Sequence, residues 1–317
     1  MSDVIHAMLL LGPTASGKTA LSLEIAGALA SRGVRAEIVS ADSMQVYAGM
    51  DIGTAKPSRA ERERVPHRMI DVADPYSSGF TVEEWLRGAR LHIDRVRAEG
   101  GIAVITGGTN LYVQALVCGL FEGPPASPEI RARLGAMVAE ELRELLERSD
   151  PAAARRIHRN DIRRTVRALE VLELTGSPIS ALQVQWESRM PALEPGWLAV
   201  GLMPAAAESA RRINARVGAM IDEGFVDEVR ALRARGDLGR QAAEAVGYRE
   251  LAKYLDRRCS LHEATEAIKV RTRRLARQQR TWLRRFSGIP GSAWFEPTQD
   301  LGTAEIAARV VASLPVG

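Results

Sequence analysis

Cysteine is close to absent from this chain: Cys118 and Cys259 are the only two in 317 residues. Two isolated thiols cannot build a disulfide framework or a zinc site of ordinary ligand spacing, so both are expected to be reduced, in a cytoplasmic protein. Long apolar runs are missing as well. The run Ala7–Leu11 stops at Gly12 and Pro13, far short of membrane-spanning length, so no membrane association is expected. The N-terminus lacks the basic stretch, apolar segment and cleavage site of a secretory leader. There is no internal repeat and no low-complexity tract. A hydrophobic content of 46% suits one large globular domain or two modest ones. Net charge is +4, too small a total to identify an anionic partner, so the distribution of charge matters more.

What the chain does contain is concentrated first at Gly12-Pro13-Thr14-Ala15-Ser16-Gly17-Lys18-Thr19. These residues follow the apolar run Ala7–Leu11 and open a helical pattern near Lys18, the strand–loop–helix setting of a G-x-x-x-x-G-K-[ST] phosphate loop. The glycines let the backbone curl so that amides converge at the positive end of a helix dipole, which suits two linked phosphates. Lys18 supplies a charge for the outer phosphate, and the Thr19 hydroxyl is a candidate magnesium ligand. The motif is that of nucleotide-binding proteins, ATP-binding ones included, but it fixes only a diphosphate or triphosphate and not its carrier.

Further apolar runs at Glu37–Ser40, Arg68–Val72, Ile102–Thr106 and Trp197–Leu202 alternate with helical patterns. That alternation predicts a parallel sheet covered on both faces, with ligands beyond the carboxyl ends of its strands. Pro124-Pro125 marks a break. Residues 128 to 148 and 151 to 174 then read as charged helices rich in alanine and leucine, with no strand between them. The expected fold class is therefore α/β: a P-loop NTPase-like parallel sheet flanked by helices, with an all-helical insertion domain. The predicted boundaries are 1–122 for the first part of the core, 123–196 for the insertion and 197–317 for the rest of the core, helical again from about Ser209 to Phe286.

Asp42-Ser43-Met44-Gln45 begins where the second predicted strand ends. A carboxylate there could cap a helix, hold magnesium, or take a proton from an acceptor, and its place beside the phosphate loop favours chemistry. An NTPase would carry an acid after a core strand to support magnesium. Ile102–Thr106 runs instead into Gly107-Gly108-Thr109, which leaves room for a diphosphate that departs rather than one that powers a reaction.

Acid is missing again from Lys269 to Arg285, where Lys269, Arg271, Arg273, Arg274, Arg277, Arg280, Arg284 and Arg285 are the charged residues. At the helical angle Arg273, Arg277, Arg280 and Arg284 share one stripe, with Ile268, Leu275, Trp282 and Phe286 on the other side. An unmixed basic stripe reads as a track for a phosphate backbone. Arg155, Arg156, Arg159, Arg163, Arg164 and Arg167 form a second basic set inside the insertion, interrupted by Asp161 and Glu170. Two such helices on two lobes predict a groove that grips a folded nucleic acid.

Taken together, these segments resemble the bacterial tRNA dimethylallyltransferases, also called tRNA isopentenyltransferases, along nearly the whole chain. The resemblance is carried by Gly12–Thr19, Asp42–Gln45, Asp51-Ile52-Gly53-Thr54-Ala55-Lys56-Pro57, Pro66-His67-Arg68 with Asp71, and Gly107-Gly108-Thr109 with Leu111-Tyr112. It continues through Asn160-Asp161, Arg163–Arg167 with Ala168–Val171, Val246-Gly247-Tyr248-Arg249, and Arg277–Arg284. The last signature reads Lys-Arg-Gln-x-Thr-Trp in relatives. Here it is Arg277-Gln278-Gln279-Arg280-Thr281-Trp282, which moves one charge from position 278 to 280.

The resemblance implies transfer of a dimethylallyl group from dimethylallyl diphosphate to N6 of adenosine-37 beside the anticodon of tRNA, with Mg2+ assisting. It implies catalytic roles for Asp42 as base, Thr109 near the transfer site, and Lys18 and Arg216 on the diphosphate, which Gly12, Pro13, Thr14, Ala15, Ser16, Gly17, Lys18 and Thr19 cradle. For the tRNA anticodon stem-loop it implies Asp42, Ser43, Met44, Gln45, Thr109, Arg131, Arg163, Arg164, Thr165, Val166 and Arg167. It adds Glu244, Ala245, Val246, Gly247, Tyr248, Arg249, Arg277, Gln278, Gln279, Arg280, Thr281, Trp282, Leu283 and Arg284. Nothing points to an obligate interface, so a monomer is expected. Three other readings use some of the same residues: a phosphate-loop kinase, an adenylate isopentenyltransferase acting on a free nucleotide, and a nucleotide-switched RNA-binding protein.

Overall fold

A computed structural model describes residues 4–121, 123–183, 192–298 and 301–314. The elements run β1 (Ala7–Leu11), α1 (Lys18–Ala30), β2 (Ala36–Ala41), α2 (Arg59–Arg64), β3 (His67–Arg68), α3 (Val82–Ala98), β4 (Ile102–Gly107) and α4 (Asn110–Cys118). Next come α5 (Pro128–Gly135), α6 (Ala139–Ser149), α7 (Pro151–Arg156), α8 (Ile162–Thr175) and α9 (Ile179–Leu182). The chain returns through β5 (Trp197–Leu202), α10 (Ala206–Asp222), α11 (Phe225–Arg235), α12 (Arg240–Ala243), α13 (Tyr248–Leu255), α14 (Leu261–Leu283), β6 (Ala293–Phe295) and α15 (Thr303–Ala312). It divides into two compact units, Met1–Val117 with Met190–Gly317, and Cys118–Arg189.

The first unit is built on a six-stranded sheet in the order β3-β2-β4-β1-β5-β6, with every pairing parallel. Side chains alternate across it, so Ala7, Leu9 and Leu11 enter one core while Met8 and Leu10 enter the other. Both faces are covered, which is why β1 reads as an unbroken apolar run. Register sets the site. Leu11 and Ala41 both pair with Gly107, so β1, β2 and β4 end level and their following loops emerge side by side. A Cβ on Gly107 would stand 2.2 Å from the Ala41 carbonyl oxygen, and only glycine fits there.

Two departures from the sequence reading have local causes. The third strand is only His67–Arg68, because Met69 and Asp71 take left-handed backbone conformations that end pairing. A sixth strand, Ala293–Phe295, adds an edge beside Val200–Leu202 that short composition alone does not announce.

Every element among the described residues of the second unit is a helix, packed around Leu134, Leu142, Leu146, Val166, Leu169 and Val171. Each of the two long predicted helices is broken once, and Asp161 caps the restart at α8 by accepting from the Arg164 amide. Glu170 is the polar centre of this unit. Its buried carboxylate accepts from Arg131 Nε and Nη2 at 2.8 and 2.9 Å, from Arg167 Nη1 at 2.6 Å and from the Ser127 amide at 2.8 Å. Burial alone would raise its pKa, but these partners hold it below the usual carboxylate range.

A similar device fixes β2 in the first unit. Glu37 has no side-chain exposure and meets Arg35, Arg68 and Arg95. Burial pushes its pKa up, yet hydrogen bonds from Arg68 and Arg35 and the charges of Arg68 and Arg95 bring it down to about 2. A depressed folded-state pKa means that the stabilisation is complete above about 4.5 and is lost as pH falls from there through about 2. Glu37→Gln is expected to destabilise by about 2 kcal/mol, less than the about 3–5 kcal/mol of a fully buried broken pair, because the three partly exposed guanidinium groups can turn to water. Urea melts at pH 7 and pH 3 check this, since the difference between wild type and variant should shrink at the lower pH.

Candidate active site

The loops that leave β1, β2 and β4 line one cavity of about 980 Å³ together with α10, the segment Asp51–Arg62 and α14. Thr14 to Thr19, Asp42 to Gln45, Thr106 to Asn110 and Arg216 all face it. The predicted phosphate loop, acid and threonine are thus brought together by strand register rather than by chance proximity.

The phosphate loop alternates hand: Ala15 and Gly17 have φ of 63° and 96°. A non-glycine residue at such a φ is held by its surroundings and is typical of an anion-binding curl. Two of the loop's amides are already used. Thr14 N–H donates to Gln279 Oε1 at 2.8 Å, and Ser16 N–H donates to the Pro13 carbonyl at 3.2 Å. The remaining attraction for an anion comes from the first turn of α1, whose amides have no helical acceptor.

Lys18 folds over this loop, donating from Nζ to the Gly12 and Pro13 carbonyls at 2.7 and 2.8 Å. Burial lowers its pKa to about 7, with the Asp42 charge raising it and the Arg216 charge lowering it. Lys18, Asp42 and Arg216 therefore share one electrostatic environment. Arg216 sits on α10, where desolvation pulls its guanidinium below the usual value, and it has no ion pair among the described residues. Its neighbour Arg212 is paired with Glu208.

Asp42 caps the turn after β2 rather than a helix. Its Oδ1 accepts from the Met44 amide at 2.8 Å, and weakly from the Gln45 amide at 3.4 Å, which fixes the turn after β2. The other oxygen, Oδ2, is left to accept a proton or bind a cation. Thr109 is held against this turn: its amide donates to the Ala41 carbonyl at 3.2 Å and its Oγ1 accepts from the Ser43 amide at 2.9 Å. Gln45 Oε1 accepts from Ser40 Oγ at 2.8 Å, while Nε2 points to the Thr54 and Ala55 carbonyls.

Other predicted residues divide sharply. Thr165, Val166, Tyr248 and Leu283 are buried, so an RNA could meet them only through their neighbours, while the equally buried Ala245 and Gln279 reach the cavity wall. Arg131 and Arg167 are committed to Glu170, Arg164 pairs with Asp161, and Arg249 pairs with Glu244. On α14 the buried line is Ala264, Ile268, Ala276, Gln279 and Leu283, whereas Leu275 is exposed at the cavity mouth, a correction to its assignment to the seam. Arg273 donates to Asn214, and Arg280 donates to the Pro204 carbonyl. Arg163, Arg277 and Arg284 carry no ion pair among the described residues.

Sequence reasoning missed Glu228. From α11 it accepts from the amides of Asp51, Ile52 and Gly53 at 2.9, 2.7 and 3.1 Å and from the Tyr248 hydroxyl at 2.6 Å. It thus fixes the cavity wall at 51–53 to the turn at 246–248. Burial and the Glu228 charge push the Tyr248 phenol well above its ordinary value, so it stays a donor. Gly53 must be glycine here, since a Cβ would lie 2.2 Å from the Phe225 ring. In the sequence, Glu228 is one of many helical acids.

Known proteins resemble this chain along most of its length. A family model described as IPP transferase matches residues 45–286. The tRNA dimethylallyltransferase of Geobacillus thermodenitrificans (strain NG80-2) is 42% identical over 296 residues, covering 92% of this chain and 90% of the relative. That of Alkalilimnicola ehrlichii (strain ATCC BAA-1101 / DSM 17681 / MLHE-1) is 44% identical over 299 residues, covering 92% and 91%. The solved structure of the full-length tRNA isopentenylpyrophosphate transferase from Bacillus halodurans superposes with a TM-score of 0.67 at 35% identity, covering 98% of this chain and 96% of that one. With identity of this order over nine-tenths of its length, the chain belongs to the IPP transferase family, that of the tRNA dimethylallyltransferases.

Proposed function

We propose that this chain transfers the dimethylallyl group of dimethylallyl diphosphate to N6 of adenosine-37 in tRNA, giving N6-(dimethylallyl)adenosine and diphosphate. The observation that carries the proposal is the shared cavity of Lys18, Asp42, Thr109 and Arg216 at the level ends of β1, β2 and β4. Membership of the family supplies the donor and the acceptor.

Chemically, the N6 lone pair forms a bond to C1 of the allylic group as the C1–O bond breaks, and that electron pair leaves with the diphosphate. Ionisation is favoured where the departing charge is stabilised, a task that suits Lys18, Arg216 and the start of α1, which line the same cavity. The exocyclic amine is a poor nucleophile, and Asp42 Oδ2 accepts its proton as the new bond forms. Thr109, bound to the Ser43 amide, keeps the acid's turn against the end of β4. The target adenine has to leave the anticodon stack, at a cost of a few kcal/mol.

Among the described residues no cluster of three or more His, Cys, Asp or Glu side chains could hold a metal ion. The Thr19 hydroxyl is nevertheless a hard oxygen donor on the cavity, suited to a Mg2+ that arrives on the diphosphate and keeps most of its waters. When bound, that ion would neutralise charge on the leaving group.

No described helix is long and apolar enough to cross a membrane. We assign the enzyme to the cytoplasm as a monomer. For the tRNA backbone, Arg163 on α8 and Arg277 and Arg284 on α14 are the favoured contacts, because among the described residues their guanidinium groups are not spent on ion pairs. Replacing Arg277 and Arg284 by glutamine is expected to weaken tRNA binding and to reduce the slope of log affinity against log salt by about 1 per charge. Filter binding at several salt concentrations measures both. An unchanged slope would assign these arginines to solvent.

The test of the reaction is incubation of the purified protein with unmodified tRNA and labelled dimethylallyl diphosphate, with labelled ATP in a parallel tube. Label in tRNA adenosine supports the proposal. Label only in products derived from ATP would replace it with phosphoryl transfer.

A further inference from the structure

Gln279 lies on α14 between Arg277 and Arg280, yet it is buried at 8% exposure and both ends of its amide are used inside the site. Oε1 accepts from the Thr14 amide at 2.8 Å, and Nε2 donates to the Gly108 carbonyl at 2.9 Å. The orientation of the amide is fixed by chemistry, since an N–H needs an acceptor and a carbonyl needs a donor. We infer that Gln279 is a positioning residue that locks the diphosphate loop to the Gly107–Thr109 turn and so sets the gap across which the prenyl group passes. The inference rests on the reaction proposed above.

Three observations support it. The β1–β4 ladder ends at Leu11 and Gly107, and among the described residues no backbone hydrogen bond joins Gly12–Thr19 to Gly108–Thr109 beyond that point. The side chain of Gln279 bridges the two loops there. Beyond Gly108 the connection runs on, because Thr109 Oγ1 accepts from the Ser43 amide next to Asp42. The loop that would hold the leaving group and the turn that carries the base are thus joined through one amide. Finally, the fit is tight: a Cβ on Gly108 would stand 2.7 Å from Gln279 Nε2 and 3.1 Å from the Gly12 carbonyl oxygen. Only a side chain of this length that donates and accepts at once can make the bridge. Ionised glutamate cannot donate, methionine cannot donate and accepts only weakly, and asparagine is too short.

The experiment uses Gln279→Met, Gln279→Glu and Gly108→Ala in the full chain, with melting curves to establish folding. Single-turnover transfer at saturating substrates is read separately from the affinities for tRNA and for dimethylallyl diphosphate. Misplacement of reacting groups by about 1 Å costs on the order of 10²-fold, so each variant should lose rate on that scale while both affinities stay within about threefold. Gly108→Ala disturbs the same bridge from its other end. Added to Gln279→Met it should therefore cost much less than its effect in the wild type, and it serves alone if the methionine variant does not fold. An unchanged rate overturns the role, and so does a loss confined to tRNA affinity, which would make Gln279 part of the RNA surface. Wild-type enzyme that transfers no label to tRNA would overturn the reaction and this role with it.

Discussion

Replacing Asp42 by asparagine is expected to lower single-turnover transfer by about 10²–10⁴-fold, the range for loss of a positioned general base. Asparagine keeps an oxygen to accept from the Met44 amide at the place of Oδ1, so the turn after β2 survives. What disappears is the second carboxylate oxygen and its ability to take the N6 proton. Affinity for dimethylallyl diphosphate should change little, because the loop that would hold the diphosphate follows a different strand. Rapid-quench transfer assays and equilibrium donor binding separate the two quantities. If both fell together, Asp42 would instead be holding magnesium or the shape of the cavity.

Lys18→Met should be nearly as damaging, by about 10²–10³-fold in transfer, the scale of removing one group that stabilises a developing anion. It also yields a signature in pH. Burial holds Lys18 at about 7, so it is charged below that value and increasingly neutral above it. An arriving diphosphate favours the charged form and raises the pKa of Lys18 in the complex. By linkage, the advantage of wild type over Lys18→Met in donor affinity is full below pH 7 and falls by up to about tenfold per unit above it, until the pKa of the complex is reached. Taking the ratio cancels the ionisation of the diphosphate itself. Titrations from pH 6 to 9 are the check, and a ratio independent of pH would mean that the ammonium does not touch the diphosphate.

The parts of this site that were legible in the sequence are those in which chemistry coincides with a strand end. Gly12–Thr19 declares itself by spacing, and Asp42 by following an apolar run. Both face one cavity because Leu11, Ala41 and Gly107 share a register. Four strand positions were legible for the same reason, since strands buried on both faces have few polar interruptions. The third strand was read too long because nothing in Met69-Ile70-Asp71 announces left-handed backbone.

Tertiary partners were the harder part. Arg131 looks like a phosphate contact in one dimension, and only the packing of α5 against α8 brings it to Glu170, which Arg167 already meets from one turn away on α8. Glu228 shows no pattern, because its partners are backbone amides some 175 residues away in sequence. Gln279 did leave a trace. It falls roughly 20° from Ile268 on the helical wheel, a polar residue on the apolar side of α14. A polar side chain in that position is a sign of a buried bridge, and reading it with its basic neighbours hid that.

The central claim is that the leaving diphosphate and the accepting amine meet over the level ends of β1, β2 and β4. The most direct measurement is a crystal structure of this chain with a non-ionising analogue of dimethylallyl diphosphate and an unmodified anticodon stem-loop. The account expects the diphosphate over Gly12–Thr19, in contact with Lys18 and Arg216, and the extruded adenine with N6 within hydrogen-bond reach of Asp42. A diphosphate seated elsewhere, or an adenine whose N6 faces away from Asp42, would contradict it.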